Sequence, residues 1–178
     1  LIVVIETIPL VISNALYPTL TSSFYSSIST AKELVQKLSK YLFIIGLFCC
    51  FTVYSFSREI IVILYSEKFS SSIFTLQLLS VLIPIRFSGH ILGIILTVSD
   101  SQKWRMVASI SAALLSIIAN MLVIPYYGIQ GAAVVSITTS LFTLSLYIFF
   151  LRSLIALRPV QEIFGLPGFA FLCSFGFV

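Results

Sequence analysis

The chain has 178 residues, of which 59% are hydrophobic and 9% charged, with ten Lys plus Arg, six Asp plus Glu and a formal charge of +4; its mean hydropathy is +1.14. Sixteen charged side chains cannot cover a soluble domain that must also bury 16 Phe, 8 Tyr and one Trp, whereas ordinary soluble chains carry about 25% charged residues. The cations are scattered between apolar runs rather than gathered around a groove, which excludes a nucleic-acid-binding domain as well.

Lipid is therefore the expected solvent, and the expected fold is all-α: a polytopic transmembrane helix bundle. A spanning helix needs about 20 mainly apolar residues, and the chain offers about six such stretches. The first covers residues 1–20 and is interrupted by Glu6, Pro9 and Asn14; the second covers 41–56, with 60–65 as a short apolar continuation. Residues 73–98 form the third. The fourth, 106–124, stops at Pro125-Tyr126-Tyr127-Gly128, where proline cannot continue the hydrogen-bond ladder and glycine permits a turn. The fifth covers 129–151 and the sixth 160–178. Because the chain starts at Leu1 and stops inside an apolar run, it reads as a piece of a longer membrane protein, and its opening run has no basic region or small-residue cleavage site of a signal peptide.

Residues 21–40 differ in kind, with three lysines and eight serines or threonines. Phe24, Ile28, Ala31, Leu34, Val35 and Leu38 recur at helical spacing while Lys32, Glu33, Gln36, Lys37 and Lys40 take the remaining surface. The pattern fits an interfacial amphipathic helix over 22–40, or a solvated connector packed on its neighbours. Alternating sides across six spans puts Lys32, Lys37, Lys40, Lys103, Arg105, Arg152 and Arg158 on one face of the membrane and only Arg58 and Lys68 on the other. The first face is then cytoplasmic. Asp100 and Ser101 stand where they would cap the following helix.

Helices in lipid associate where small residues admit close approach or polar groups pair. Ala108, Ala112, Ser116 and Asn120 recur every four residues on the fourth span, as do Gly128, Ala132, Ser136 and Ser140 on the fifth. The two spans are expected to pack as an antiparallel hairpin, with Asn120, Gly128, Gly131 and Ala132 as packing positions. Alternatively, such residues are simply common in membrane helices.

The third span carries Arg86 and His90, four residues apart and hence on one face. Ionisable groups at that depth face a cavity or a partner. One reading puts Arg86 and His90 in a polar substrate pathway; the other makes Arg86 half of a structural ion pair. Glu6 is the candidate counter-ion, and Asn14 a candidate pathway residue on the same span. Pro84 should loosen the helix just before them, and Gly89 and Gly93 form a small-residue strip suited to packing. Cys49, Cys50 and Cys173 have no metal or redox spacing and read as buried thiols. With one histidine, no paired carboxylates, no phosphate loop and no nucleophile elbow, neither a metal, a cofactor nor an enzymatic activity is expected.

The order of these features resembles the second half of the polysaccharide flippases, the lipid-linked oligosaccharide exporters of the multidrug/oligosaccharidyl-lipid/polysaccharide transporter superfamily. The residues that carry the likeness are Tyr17-Pro18-Thr19-Leu20, the lysine-rich linker into Lys40-Tyr41-Leu42, the stretch from Arg58 to Phe69, and above all the run from Asn120 through Pro125-Tyr126-Tyr127-Gly128 to Gly131-Ala132-Ala133. Ser66 departs from the tyrosine-glycine that the family often has there. The resemblance implies half of a pseudo-two-fold transporter, its late spans, the eighth to the thirteenth. It implies a multi-pass protein of the inner (cytoplasmic) membrane that flips a polysaccharide or O-antigen repeat unit on an undecaprenyl-pyrophosphate-type carrier by alternating access. Cationic cavity residues would meet the anionic headgroup, and the partners would be that lipid-linked oligosaccharide, membrane lipids and the polysaccharide polymerase machinery. A multidrug or cation antiporter of the same superfamily is the alternative, which intramembrane acids would favour.

Overall fold

Pro84 explains the course of the central helices. Lacking an N–H, it cannot bond the Ser80 carbonyl one turn back, and in the computed structural model, which describes residues 2–155, the third apolar stretch divides just there. Its parts are α4 (Ile73–Ser80) and α5 (Leu82–Val98), joined through Val81, whose N–H reaches the Leu78 carbonyl at 3.3 Å. The elements before them are α1 (Ile2–Ser26), α2 (Ile28–Ser55), α3 (Ser57–Tyr65) and a 3-10 turn, Glu67–Ser72. After them comes α6 (Gln102–Ile155). No strand occurs among the described residues.

Four helical stretches are long and apolar enough to cross a membrane: Ile2–Tyr25, Glu33–Ser55, Glu67–Val98 and Gln102–Arg152. The last has 51 residues, about 75 Å if straight, far more than a hydrocarbon core of about 30 Å. It is not straight. Gly128 adopts φ 56° and ψ −139° and splits α6 into two arms. Trp104 on the first arm stacks on Phe150 of the second with ring centroids 4.8 Å apart, while a Cβ on Gly131 would come within 2.7 Å of Val123. Contacts at both ends make the arms an antiparallel hairpin, so the four stretches give five apolar helical segments among the described residues. The sixth apolar stretch, 160–178, lies outside the described residues, together with Arg158 and Cys173.

Three expectations change in detail. Residues 22–40 are not a separate helix: α1 runs on to Ser26, the single extended residue Ser27 (φ −164°, ψ 122°) breaks the chain, and α2 continues unbroken from the polar segment into the second span. Ala31 and Val35 are buried, with Phe24, Leu34 and Leu38 against the core, so the apolar face of this segment rests on protein. Asn120 donates to the Ser116 hydroxyl at 3.2 Å, one turn back on its own arm, rather than across the hairpin. Ser101 donates its hydroxyl to the Ser99 carbonyl, and only its carbonyl engages α6, accepting from the Trp104 N–H.

Helix α5 is the axis of the bundle, packed by α2, α6 and α1. Ile83, Phe87, Ile91, Ile95 and Leu96 are fully buried in the core with Leu20, Val35 and Cys50. The crossing with α2 is closest at Gly46, where a Cβ would sit 2.7 Å from the Pro84 Cα. Nearby the Cys50 thiol meets the Ser80 hydroxyl at 3.7 Å. Both Cys49 and Cys50 are free, Cys50 buried and Cys49 half-buried.

Candidate functional site

One face of α5 is polar in an otherwise apolar helix: Arg86, His90, Gly93 and Thr97 follow at spacings of four, three and four, which keeps them in one stripe. A second stripe on α1, Glu6, Leu10, Asn14 and Tyr17, follows at four, four and three. Helix α1 packs on α5, and the stripes lie side by side: Leu10, Asn14 and Tyr17 line one cavity with Arg86, His90, Gly93 and Thr97. A third, from the second arm of α6, presents Ser140, Thr143, Leu144 and Tyr147. Between them is an open cavity of about 380 Å³, also lined by Ile85, Gly89, Ile94 and Arg105.

Arg86 lines the cavity and pairs with Glu6, which is not itself among the lining residues. Nη1 of Arg86 donates to both oxygens of Glu6 at 2.8 Å each, the Glu6 side chain 13% exposed and that of Arg86 38%. A carboxylate so covered is expensive to hold without a cation, which accounts for the pairing. Among the described residues Nε and Nη2 of Arg86 have no hydrogen-bond partner. Arg86 therefore belongs to an ion pair and to the cavity wall at once, so the two sequence readings are not exclusive.

The other expected residues divide. His90 and Asn14 line the cavity with Arg86. Gly89 and Gly93 line it too: a Cβ on Gly89 would meet nothing within 4 Å, whereas Gly93 is buried and keeps a packing role, its Cβ position 3.4 Å from the Tyr147 ring of α6. Asn120 and Gly128 are not among the lining residues, nor are Gly131 and Ala132. Gly128 is exposed, and a Cβ there would also meet nothing within 4 Å; conformation is what this position requires. Gly131 is the close-approach residue, since its Cβ would press on Val123 and Tyr127 at 2.7 and 2.8 Å.

Arg105 is the residue that sequence reasoning placed elsewhere, among the loop cations. It folds back from the start of α6 and donates through Nη1 to the Thr97 hydroxyl at 2.8 Å, which in turn donates to the Gly93 carbonyl at 3.1 Å. No carboxylate among the described residues pairs with it. The continuation of the Arg86–His90 stripe to Thr97 was the available signal. Thr97 lies about 16 Å along α5 from Arg86, and one residue before the helix end at Val98. The cavity is thus a track along α5 with polar groups in its wall, Arg105 beside the helix end without a carboxylate and Arg86, paired with Glu6, towards the middle.

Families of proteins, curated proteins and solved structures contain no match to this chain. What the chain does must be argued from the track itself. No cluster of His, Cys, Asp or Glu able to hold a metal occurs among the described residues. Guanidinium groups with amide, imidazole and hydroxyl neighbours can bind an anion and hydrogen-bond a polyhydroxylic group.

Proposed function

We propose that the chain is the late-span half of a membrane transporter that flips a lipid-linked oligosaccharide, a polysaccharide or O-antigen repeat unit on an undecaprenyl-pyrophosphate-type carrier, across the inner membrane by alternating access. The observation that carries the reading is the track between α1, α5 and α6, with Arg86 and Arg105 in its wall and hydroxyl, amide and imidazole groups between them. Desolvated cations attract a diphosphate strongly, and Asn14, Tyr17, Ser140 and Thr143 suit a sugar. The open side admits a headgroup whose lipid tail stays in the bilayer. The sequence likeness around Tyr17-Pro18, Arg58 to Phe69 and Asn120 to Ala133 supports the same reading. Membrane lipids and the polysaccharide polymerase machinery are the partners it implies.

The multidrug or cation antiporter has one observation in its favour, the intramembrane carboxylate of Glu6; its pairing with Arg86 withdraws that carboxylate from cation binding. The deciding experiment is surface-polysaccharide restoration by the full-length gene in a strain lacking its own flippase, with wild type, Arg86→Ala and Arg86→Lys at matched membrane abundance. Restoration by wild type, loss in Arg86→Ala and partial activity in Arg86→Lys is the expected result. Failure with several polysaccharide systems, accompanied by drug resistance, transfers the assignment to the antiporter.

A further inference from the structure

The two guanidinium groups of the track are in different states. Arg86 is held by Glu6 through one nitrogen, whereas Arg105 has only the neutral Thr97 hydroxyl. We infer that Glu6 is an internal competitor for Arg86 which, with Arg105, restricts the track to ligands bearing two or more negative charges, such as a diphosphate; this rests on the anion-binding reading of the site proposed above.

A tethered carboxylate acts at an effective concentration that a dissolved ion does not match. A single-charged anion approaching Arg86 meets a cation already neutralised at 2.8 Å, and displacing Glu6 would leave that carboxylate uncompensated where it is mostly covered. A ligand with a second charged group has a further place to go. Arg105 lines the same cavity, with its Nε 3.6 Å from the Cβ position of Gly93. Gly93 is seven residues from Arg86 on the same face, about 10 Å along the axis, a gap that two long side chains can close around a diphosphate. Gly89, where a Cβ would meet nothing within 4 Å, lies between. Such a ligand engages Nε and Nη2 of Arg86, unused by Glu6, and Arg105 together, while a monoanion gains one contact and still faces the carboxylate.

The test is equilibrium binding to the purified full chain in nanodiscs, with inorganic pyrophosphate and dimethyl phosphate as soluble probes and discs doped with a polyprenyl diphosphate as the lipid-borne one. Wild type is expected to bind a diphosphate and not dimethyl phosphate. Glu6→Gln should bind the diphosphate at least tenfold more tightly and acquire dimethyl phosphate binding; Glu6→Asp, whose carboxylate is drawn back by one methylene, should tighten it less. Arg105→Gln should weaken the diphosphate at least tenfold, and Lys68→Gln, on the exposed 3-10 turn, should change nothing. Tight binding of the lipid-borne probe alone identifies a lipid headgroup as the source, and of pyrophosphate alone a soluble ligand. A folded Glu6→Gln or Glu6→Asp protein that binds the diphosphate no better than wild type overturns the competitor role and leaves the anion-binding reading standing. No binding of any probe by wild type and both Glu6 variants overturns both.

Discussion

Pro84 and Gly46 bring two helices together backbone against backbone: a Cβ on Gly46 would lie 2.7 Å from the Pro84 Cα and 3.3 Å from the Phe87 side chain. Neither neighbour can withdraw, because Phe87 is fully buried and Pro84 sits at the junction of α4 and α5. Gly46→Ala should therefore destabilise the protein by about 1–3 kcal/mol, read as a lowered thermal midpoint in detergent. Gly89→Ala, facing the cavity, should leave the midpoint nearly unchanged. Equal midpoints for the two variants would contradict the crossing.

Ser66 and Gly128 make opposite predictions from the same physics. Ser66 adopts φ 70°, a conformation open to glycine and strained for other residues. Ser66→Gly should raise stability by about 1 kcal/mol, less the entropy that glycine adds to the unfolded chain. Gly128→Ala, at φ 56° in open space, should lower it by about 1–3 kcal/mol through backbone strain alone. Denaturant titration of both variants checks the pair.

Trp104 is the chain's single tryptophan and stacks on Phe150. Phe150→Ala should shift its emission and alter its accessibility to a water-soluble quencher. An unchanged spectrum would place the two arms of α6 apart.

Ser88 and Gly89 are neighbours about 100° apart around α5, one fully buried and one lining the cavity. In a background whose native cysteines are replaced by serine or alanine, Gly89→Cys should react with a charged thiol reagent and Ser88→Cys should not. Reaction at both positions, or at neither, would remove the water-accessible track.

Thr97 passes a hydrogen bond from Arg105 to the Gly93 carbonyl. Thr97→Val keeps the volume and removes the acceptor, so Arg105 loses its fixed position while the fold loses about 1 kcal/mol. Pyrophosphate binding should fall several-fold while the thermal midpoint drops by only about 2–4 °C.

Much of this architecture is written in local pattern. The apolar runs, the Pro125–Gly128 turn and the Arg86–His90 face follow from hydropathy and spacing, because an isolated charge in an apolar helix must face something polar. Arg105 was hidden for the converse reason: beside Asp100 and Lys103 it looks like any cation of a connecting turn. Thr143 and Tyr147 are uncharged, cost little in a membrane helix and so leave no mark in the pattern, while Ser140 reads there as a packing position and Tyr17 only as the close of a span, although both line the cavity. Gly46 is one glycine in an apolar run, and only the approach of Pro84 gives it a role.

Composition and hydropathy dictate the solvent and the secondary structure. Its composition cannot clothe a soluble surface, and a backbone in hydrocarbon must satisfy its own hydrogen bonds, for which the helix is the available solution. Which polar residues meet is a matter of helix packing. Each apolar helix can be rotated about its axis at little cost in lipid, so hydropathy does not say that Glu6 faces Arg86 eighty residues away or that Arg105 turns back to Thr97. The first follows from the cost of leaving a covered charge unmatched and the second from the packing of α6 on α5.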